Sequence, residues 1–391
     1  MNASGEALLL LDCSLLRPDE AAVERIRQRI VAGVDWIELL RIAIPHGLLP
    51  IASRNLALHA ADIIPPQTLA QLGAYRKSVE ERNRQQVAEL SRLLELFAEE
   101  AIRALPFKGP LLAAVEFGDV SLRESHDLDL WVHRRDLPAA GRLLRASGYR
   151  GVIHRKGVPC LLRPDRGDCQ TEFQNWNGEV QIELHDELQS RQFSFLPDFD
   201  EVWERRRTIL IDRAEVPAFA PEDLLLTLAV HGSKHMWRRL SWVVDISAVI
   251  GVHPQLDWKA TLVRARRWRC KRRLLSAVLL AESLYHLALP EFVQMECRRR
   301  SYTRSSVLRV ENQIIDGVDA RTIGNFISEL QNHTENADTV FDRLRIAFSY
   351  LKKMLRVDEA EMLRSMPGKT LLLFRLSRGF RGFLGRFVGQ D

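Results

Sequence analysis

The N-terminal part of the chain repeats apolar residues at intervals of three and four positions. This spacing runs from about Pro18 to Ala61 and predicts amphipathic helices. Pro65 and Pro66 interrupt the pattern, because proline breaks a helix interior. The residues from Gln67 to Ala104 then predict one long, polar-rich helix. Its apolar seam consists of Val79, Val87, Leu90, Leu93, Leu94, Phe97 and Ile102.

The pattern changes at Leu105, where short segments are separated by turn-forming residues. The sequence HDLDLWVH alternates polar and apolar residues with period two, which predicts a strand. The residues from Asp136 to Ser147 predict a helix that ends at Gly148. The segments YRGVIHR and VQIELHDEL predict further strands. Residues 105–215 are therefore expected to form a small α/β unit.

The helical period resumes after Pro221 in EDLLLTLAVHGSKHMWRRLSWVVDISAVIG. It continues from Trp258 to Leu289 and from Arg304 to Lys353. A chain of 391 residues is long enough for two or three packed units. The expected units are an N-terminal helical region (1–104), an α/β core (105–215) and a C-terminal helical domain with a basic tail (216–391).

Composition favours a soluble, folded and cytoplasmic protein. The chain is 46% hydrophobic and 27% charged, which is typical of globular proteins. Its five cysteines form no CxxC pair, and their odd number favours reduced thiols over a disulfide framework. No segment reaches the roughly 18–20 consecutive apolar residues that a transmembrane helix needs.

Positive charge is concentrated at the C-terminus. The net charge is +5, and residues 369–391 contain five basic residues and one acidic residue, which leaves +1 for the rest. Arginine alternates there with phenylalanine, as in tails that contact membrane surfaces or nucleic acids. Packing of these phenylalanines onto the body of the protein is the open alternative.

The predicted strand HDLDLWV contains two aspartates that can share one metal ion. Asp127 and Asp129 are two positions apart, so their side chains project from the same face of a strand. Carboxylates this close repel one another, and a bound divalent cation removes that repulsion. Oxygen ligands of this kind suit Mg²⁺ or Mn²⁺. An Asp-x-Asp pair alone also occurs on solvated strand faces. The neighbouring segments must therefore show whether this pair belongs to a metal site.

Two neighbouring segments support a metal and phosphate site. Lys108 and Gly109 precede Pro110, where a helix is predicted to begin, and a helix N-terminus attracts phosphate. The alternative is a simple turn at Gly109 with a solvated Lys108. Glu183 lies in a second predicted strand and completes the three-carboxylate pattern of two-metal nucleotidyl transfer. It would bind the first ion or act as general base.

Three polar residues share one face of a predicted C-terminal helix. His231, Lys234 and His235 have i, i+3, i+4 spacing, and we expect them to contact the phosphates or the base of a nucleotide. A structural role for at least one histidine is the alternative. The HxxxH spacing can also bind zinc, but it lacks the glutamate of the usual motif. Arg239 and Asp245 would pair with each other or orient the site.

The motifs together resemble the nucleotidyltransferase superfamily, which has the DNA polymerase β-like fold. Its pattern is a helix-opening glycine, then hDhDh, then a later h[DE]h, and Gly109, Asp127, Asp129 and Glu183 match it. The segments KGPLLAAVEFGDVSLRESHDLDLWV, IELH and LAVHGSKHMWRRLSWVVDISAVI are similar to a bacterial group of largely uncharacterised nucleotidyltransferase family proteins.

The chain departs from that group at three positions. Phe117 stands where a tyrosine is more usual. Glu183 and Asp186 stand where an aspartate and a tryptophan are expected around His185. The third carboxylate therefore matches the group less well than the first two.

The resemblance implies an α+β fold, with a small nucleotidyltransferase mixed-sheet core flanked by N-terminal and C-terminal helical regions. It implies Mg²⁺- or Mn²⁺-dependent transfer of a nucleoside monophosphate, with ATP as the expected donor, to a hydroxyl or phosphate acceptor, releasing pyrophosphate. Asp127, Asp129 and Glu183 would be the catalytic and metal-binding residues. The expected substrate-binding residues are Lys108, Gly109, Arg123, His185, His231, Lys234 and His235.

The acceptor is not specified by these motifs. A peptide or small molecule is favoured over RNA, because the sequence contains no recognisable RNA-binding module. Two alternatives remain open. One is a non-catalytic or toxin–antitoxin-type binding protein on the same fold, and the other is phosphoryl or glycosyl transfer on this scaffold.

Overall fold

A five-stranded mixed sheet occupies the middle of the fold. A computed structural model describes residues 4–151, 170–189, 193–211, 214–299 and 326–356. The strand order is β1-β2-β5-β4-β3. These strands are β1 (Ala104–Pro106), β2 (Leu128–Val132), β3 (Arg150–Gly151), β4 (Gln170–Gln174) and β5 (Gln181–His185). A separate hairpin consists of β6 (Arg207–Ile211) and β7 (Ala214–Ala218).

Helices flank the sheet on both sides in sequence, so the expected α+β class is confirmed. The helices are α1 (Gly5–Cys13), α2 (Glu20–Val31), α3 (Trp36–His46), α4 (Leu49–His59), α5 (Pro66–Glu99), α6 (Gly109–Glu116), α7 (Leu137–Ala146), α8 (Phe199–Glu204), α9 (Pro221–Lys234), α10 (Ser241–Val252), α11 (Trp258–Arg267), α12 (Lys271–Tyr285), α13 (Glu291–Arg298), α14 (Phe326–Glu335) and α15 (Val340–Arg356).

Strands β2 and β5 are parallel neighbours, whereas the other pairs in the sheet are antiparallel. In the β2–β5 pair, Asp129 lies opposite Glu183 and Trp131 lies opposite His185. Side chains at matching positions of adjacent strands project to the same side of a sheet. The two acids, the histidine and the tryptophan therefore share one face.

The opposite face of the sheet is apolar and packs on α5 and α7. Leu128 and Leu130 of β2 and Ile182 of β5 are buried there, together with Leu93 of α5 and Leu144 of α7. The alternation expected in HDLDLWV thus divides β2 into an apolar side and a side that carries Asp129. Alternate side chains of a strand project to opposite faces, so burial of the apolar side chains of β2 also fixes the direction of Asp129.

Helices from both ends of the chain share one hydrophobic core. Leu9 of α1 belongs to the same buried cluster as Leu225 of α9 and Leu275 of α12. The hydroxyl oxygens of Ser14 and Tyr285 lie 3.0 Å apart in the buried interior. The division into segments 1–104, 105–215 and 216–391 stays a proposal, in which the first and third segments pack together.

Helix α5 is shorter than the helix expected over Gln67–Ala104. It ends at Glu99, and Ala101 then adopts a left-handed conformation with φ of 53°. The chain turns there, so that Ala104 begins strand β1 beside β2. The residues after Glu99 therefore leave the helix despite their helical spacing, because Ala104 pairs with β2.

Two expected helical runs are each divided in the structure. The run after Pro221 is broken after Lys234, where Met236 and Trp237 have φ of 54°. The run from Trp258 to Leu289 is broken after Arg267, near Arg269 with φ of 55°. Both breaks are left-handed turns of non-glycine residues, which a hydrophobic period does not reveal.

Several expectations fall outside the described residues. They include the basic tail at 369–391, most of YRGVIHR and the first part of the run from Arg304. Within the described ranges, no helix has both the length and the apolar character needed to cross a membrane.

The shared core predicts that α1 contributes to global stability. We expect Leu9→Ala to lower the free energy of unfolding by about 2–5 kcal/mol, because this side chain is fully buried. Leu58→Ala is the matched control, since Leu58 is 67% exposed and should change stability by less than about 0.5 kcal/mol. Urea unfolding measures both, and equal losses would contradict the shared core.

Candidate active site

Asp129 is a buried carboxylate at the centre of the acidic face. It is only 2% exposed. The ammonium of Lys108 donates to its Oδ1 at 2.9 Å, and Nε2 of His185 lies 2.9 Å from the same oxygen. The second oxygen, Oδ2, is also buried and has no hydrogen-bond partner within the described part of the chain. Buried polar atoms nearly always have a hydrogen-bond partner, a water or an ion, so a further partner is expected at this oxygen.

Glu183 and His185 lie beside Asp129 on the neighbouring strand. Oε2 of Glu183 is 3.5 Å from Nε2 of His185. One potential ligand atom from each of Asp129, Glu183 and His185 lies within 4.8 Å of the others. Asp127 is half-buried just before β2 and is not a member of this group. The expected ligand set of Asp127, Asp129 and Glu183 stays a prediction, and the structure places His185 within hydrogen-bond distance of Asp129.

The donor chemistry of this group fits a divalent cation. Carboxylate oxygens, which Asp129 and Glu183 offer, suit Mg²⁺ and Mn²⁺. The buried Oδ2 of Asp129 has no hydrogen-bond partner among the described residues, and an ion would supply one. The site residues are therefore compatible with the metal that the sequence implies.

The charges of the site strongly perturb one another. Burial, followed by the negative charge of Asp129, raises the pKa of Asp127 to about 6. Burial alone would also raise the pKa of Asp129, but Lys108 and His185 hold that pKa below its usual value. Burial opposes charge on Lys108 as well, yet Asp129 and Asp127 raise the pKa of this lysine. The surroundings thus keep Asp129 charged, whereas the negative charge of Asp127 is poorly compensated.

Gly109 begins α6 directly against the strand that carries the aspartates. Its φ is 66°, a left-handed value that favours glycine. A Cβ at this position would lie 2.9 Å from the carbonyl oxygen of Asp127 and 3.2 Å from Oγ of Ser125. Only glycine therefore allows the start of α6 to approach Asp127 this closely.

Arg123 is buried and paired with Asp245 of α10. Its Nε and Nη2 donate to the two carboxylate oxygens of Asp245 at 2.6 and 2.9 Å. Nη1 donates to the carbonyl oxygens of Gly109 and Glu124 at 3.4 and 3.3 Å. The expected contact of Arg123 with a triphosphate stays a prediction. These bonds favour a positioning role that ties α10 to the start of α6.

Asp245 therefore does not pair with Arg239, one of the alternatives that the sequence left open. Arg239 is exposed. It lies in the turn between α9 and α10, and the two residues are not on one continuous helix as the sequence suggested. The other alternative, in which Asp245 orients the site, agrees with its bidentate contact to Arg123.

His231 and Lys234 lie in the last turn of α9, and His235 follows as its first non-helical residue. The two imidazoles are 4.8 Å apart between ring centroids. Trp242 of α10 lies 5.3 Å from His231 and 5.1 Å from His235. Within the described residues, neither histidine belongs to a group that could hold a metal ion. Nothing in the sequence pattern identified Trp242, because its position depends on the turn after α9.

A comparison with known protein families identifies the family of the chain. Residues 32–286 match the model of a family described as uncharacterised nucleotidyltransferases, which is more than half of the chain. The chain belongs to this family. The resemblance expected from the sequence is thereby confirmed.

A solved structure is also similar, although distantly. It is the crystal structure of an antigenic nucleotidyltransferase-like protein from Paracoccidioides brasiliensis, with 20% sequence identity and a TM-score of 0.31. The match covers 51% of this chain and 96% of that one. No curated protein matches the chain.

The close contact at Gly109 predicts that substituting this glycine costs more stability than substituting Gly118. Gly118 has φ of 69° and open space where a Cβ would lie, whereas Gly109 has a similar φ and a close contact. Gly118→Ala should cost about 1–2 kcal/mol of unfolding free energy through its backbone conformation alone. Gly109→Ala should cost clearly more, because Asp127 must shift. Equal losses in urea unfolding would show that the close approach is unimportant.

The buried pair predicts strong coupling between Arg123 and Asp245. Asp245→Ala should lower the free energy of unfolding by about 3–5 kcal/mol, because it leaves a buried guanidinium unpaired. The double variant Arg123→Met/Asp245→Leu should be more stable than that single variant. Glu38→Ala, which breaks the exposed pair with Arg41, is the control and should cost no more than about 1 kcal/mol. A double variant as unstable as Asp245→Ala, or less stable, would contradict the coupling.

Proposed function

We propose that this family member is a metal-dependent nucleotidyltransferase that moves a nucleoside monophosphate, with AMP favoured, from a nucleoside triphosphate to a hydroxyl or phosphate acceptor. Pyrophosphate would be released. The observation that carries the proposal is the buried Asp129, which has an unused Oδ2 and lies in register with Glu183 on a parallel strand. Membership of the nucleotidyltransferase family supports the reaction class.

Asp127, Asp129 and Glu183, with His185 beside them, would hold Mg²⁺ or Mn²⁺. When bound, such an ion neutralises charge that develops on the phosphates and activates the attacking oxygen. The role of His185 would be to hold Asp129 in place through the contact at 2.9 Å. Burial opposes charge on His185, but hydrogen bonds with Asp129 and Glu183 raise its pKa. In this role Nε2 of His185 donates to the carboxylates and is not itself a ligand of the ion.

Lys108 and Gly109 would bind the phosphates of the donor nucleotide. Gly109 places the first turn of α6 against Asp127, and amide groups at a helix N-terminus attract phosphate. Lys108, which pairs with Asp129, is the cation beside this turn. Arg123 would fix the turn through the Gly109 carbonyl and Asp245, rather than serve as a freely movable phosphate ligand.

The acceptor is proposed only as a class. A peptide or small molecule is favoured over RNA, as the sequence suggests. The helical segment 216–391 would cover the donor nucleotide from the side of α9 and α10, because Asp245 of α10 contacts Arg123 beside the acidic site.

Substituting either aspartate should abolish metal-dependent nucleotide turnover. We expect Asp127→Asn and Asp129→Asn to reduce it about 10²-fold or more, because charge on the phosphates would lose its compensation. The measurement is pyrophosphate release, with calorimetry of all four nucleoside triphosphates in the presence and absence of Mg²⁺. Asp200→Asn is the control, since Asp200 is on the surface and pairs with Arg103.

Wild-type protein should bind at least one nucleoside triphosphate only when Mg²⁺ is present. Absence of such binding would favour a non-catalytic partner-binding protein. Turnover by Asp127→Asn or Asp129→Asn at the wild-type rate would contradict the assignment of the acidic site. The mass of the modified acceptor distinguishes nucleotidyl transfer from phosphoryl or glycosyl transfer.

A further inference from the structure

We propose that His231, His235 and Trp242 form the subsite that stacks the base of the donor nucleotide. The proposal rests on the proposed function, since it assigns the base-binding end of the same nucleotide. We call these three residues the ring cluster.

The ring cluster brings together three flat side chains from two helices and the turn between them. All ring centroids lie between 4.8 and 5.3 Å of one another. Trp242 is edge-on to His231, with an interplanar angle of 87°, and inclined by 37° to His235. All three residues are half-buried, so part of each remains accessible. Such a surface suits a flat, weakly polar ligand such as a nucleobase, which stacks on aromatic faces.

The turn between α9 and α10 holds the ring cluster rigidly. The amide of Trp237 donates to the carbonyl oxygen of Gly232 at 2.9 Å, and Trp237 itself is buried. A Cβ on Gly232 would lie 2.1 Å from the Trp237 indole, so the indole rests directly on the glycine. This packing holds the start of the turn against the last turn of α9. The three rings also contact one another, and a preformed surface of this kind loses less entropy on binding.

The ring cluster lies beside the proposed phosphate end of the site. Trp242 and Asp245 are three positions apart on α10 and so share one helix face. Asp245 binds Arg123, and Arg123 in turn contacts the Gly109 carbonyl. The rings therefore lie next to the series of contacts that runs from Asp245 through Arg123 to the Gly109 carbonyl. One nucleotide could place its phosphates at Lys108 and Gly109 and its base at the ring cluster.

The histidines of the ring cluster are neutral, which suits a base better than a phosphate. Burial, followed by the positive charge of Lys108, lowers the pKa of His231 well below its usual value. Burial and the charge of Lys234 lower the pKa of His235 to about 3. Neutral imidazoles offer ring faces and single hydrogen bonds rather than positive charge. The sequence left contact with phosphates or base open, and these surroundings favour the base.

Calorimetry with two ligands tests the assignment. The full chain is titrated with ATP and with inorganic tripolyphosphate, each in the presence of Mg²⁺. Trp242→Ala should weaken ATP binding about 5- to 150-fold, the range for loss of one base–aromatic contact, while tripolyphosphate binding is unchanged. Trp242→Phe keeps a ring and should retain most of the ATP affinity. Trp203→Ala is the matched control, because Trp203 is also half-buried against the same core.

The possible results separate this proposal from the proposed function. Equal weakening of ATP and tripolyphosphate in Trp242→Ala would overturn the base subsite but leave the nucleotide site in place. Equal losses in Trp242→Phe and Trp242→Ala would also overturn it, because stacking would then not explain the effect. Wild-type protein that binds neither ligand would instead contradict the proposed function, and this inference with it.

Discussion

The charge on Asp129 is the constraint on which the site depends. A carboxylate with 2% exposure is stable only if its charge is compensated, and Lys108 and His185 provide this through its Oδ1. Each partner is supplied by a different element, since Lys108 precedes α6 and His185 ends β5. Satisfying one buried charge therefore requires that β2, β5 and the start of α6 come together. Both compensating contacts are made to Oδ1, and Oδ2 has no hydrogen-bond partner in the described part of the chain.

A second buried charge connects this core to the helices. Arg123 spans the distance between Asp245 on α10 and the Gly109 carbonyl at the start of α6. A buried ion pair of this kind adds little net stability compared with apolar packing, but separating its partners is costly. Its effect is to specify one arrangement of α10 relative to the sheet. The positions of Trp242 and the α9–α10 turn follow from that arrangement.

The sequence predicted those parts of the fold that depend on local periodicity. Alternation in HDLDLWV identified β2, and Pro110 marked the start of α6 within one residue. The common face of Asp127 and Asp129 stays a prediction, because Asp127 lies just before β2. The sequence did not predict contacts that depend on left-handed turns or distant pairing. Trp242 reaches His231 only because Met236 and Trp237 reverse the chain. Likewise, the pairing of Asp245 with Arg123 joins residues 122 positions apart.

The groups on the two sides of Lys108 differ in charge. Lys108 is held in its charged form by Asp129 and Asp127, which raise its pKa, whereas the same lysine helps to keep His231 neutral by lowering its pKa. One cation thus favours a charged carboxylate on one side, at Asp129, and a neutral imidazole on the other, at His231. A ligand with a negatively charged end and a flat neutral end matches this polarity in only one orientation. A nucleoside triphosphate has that form, so the charge of Lys108 links the proposed phosphate site to the proposed base subsite.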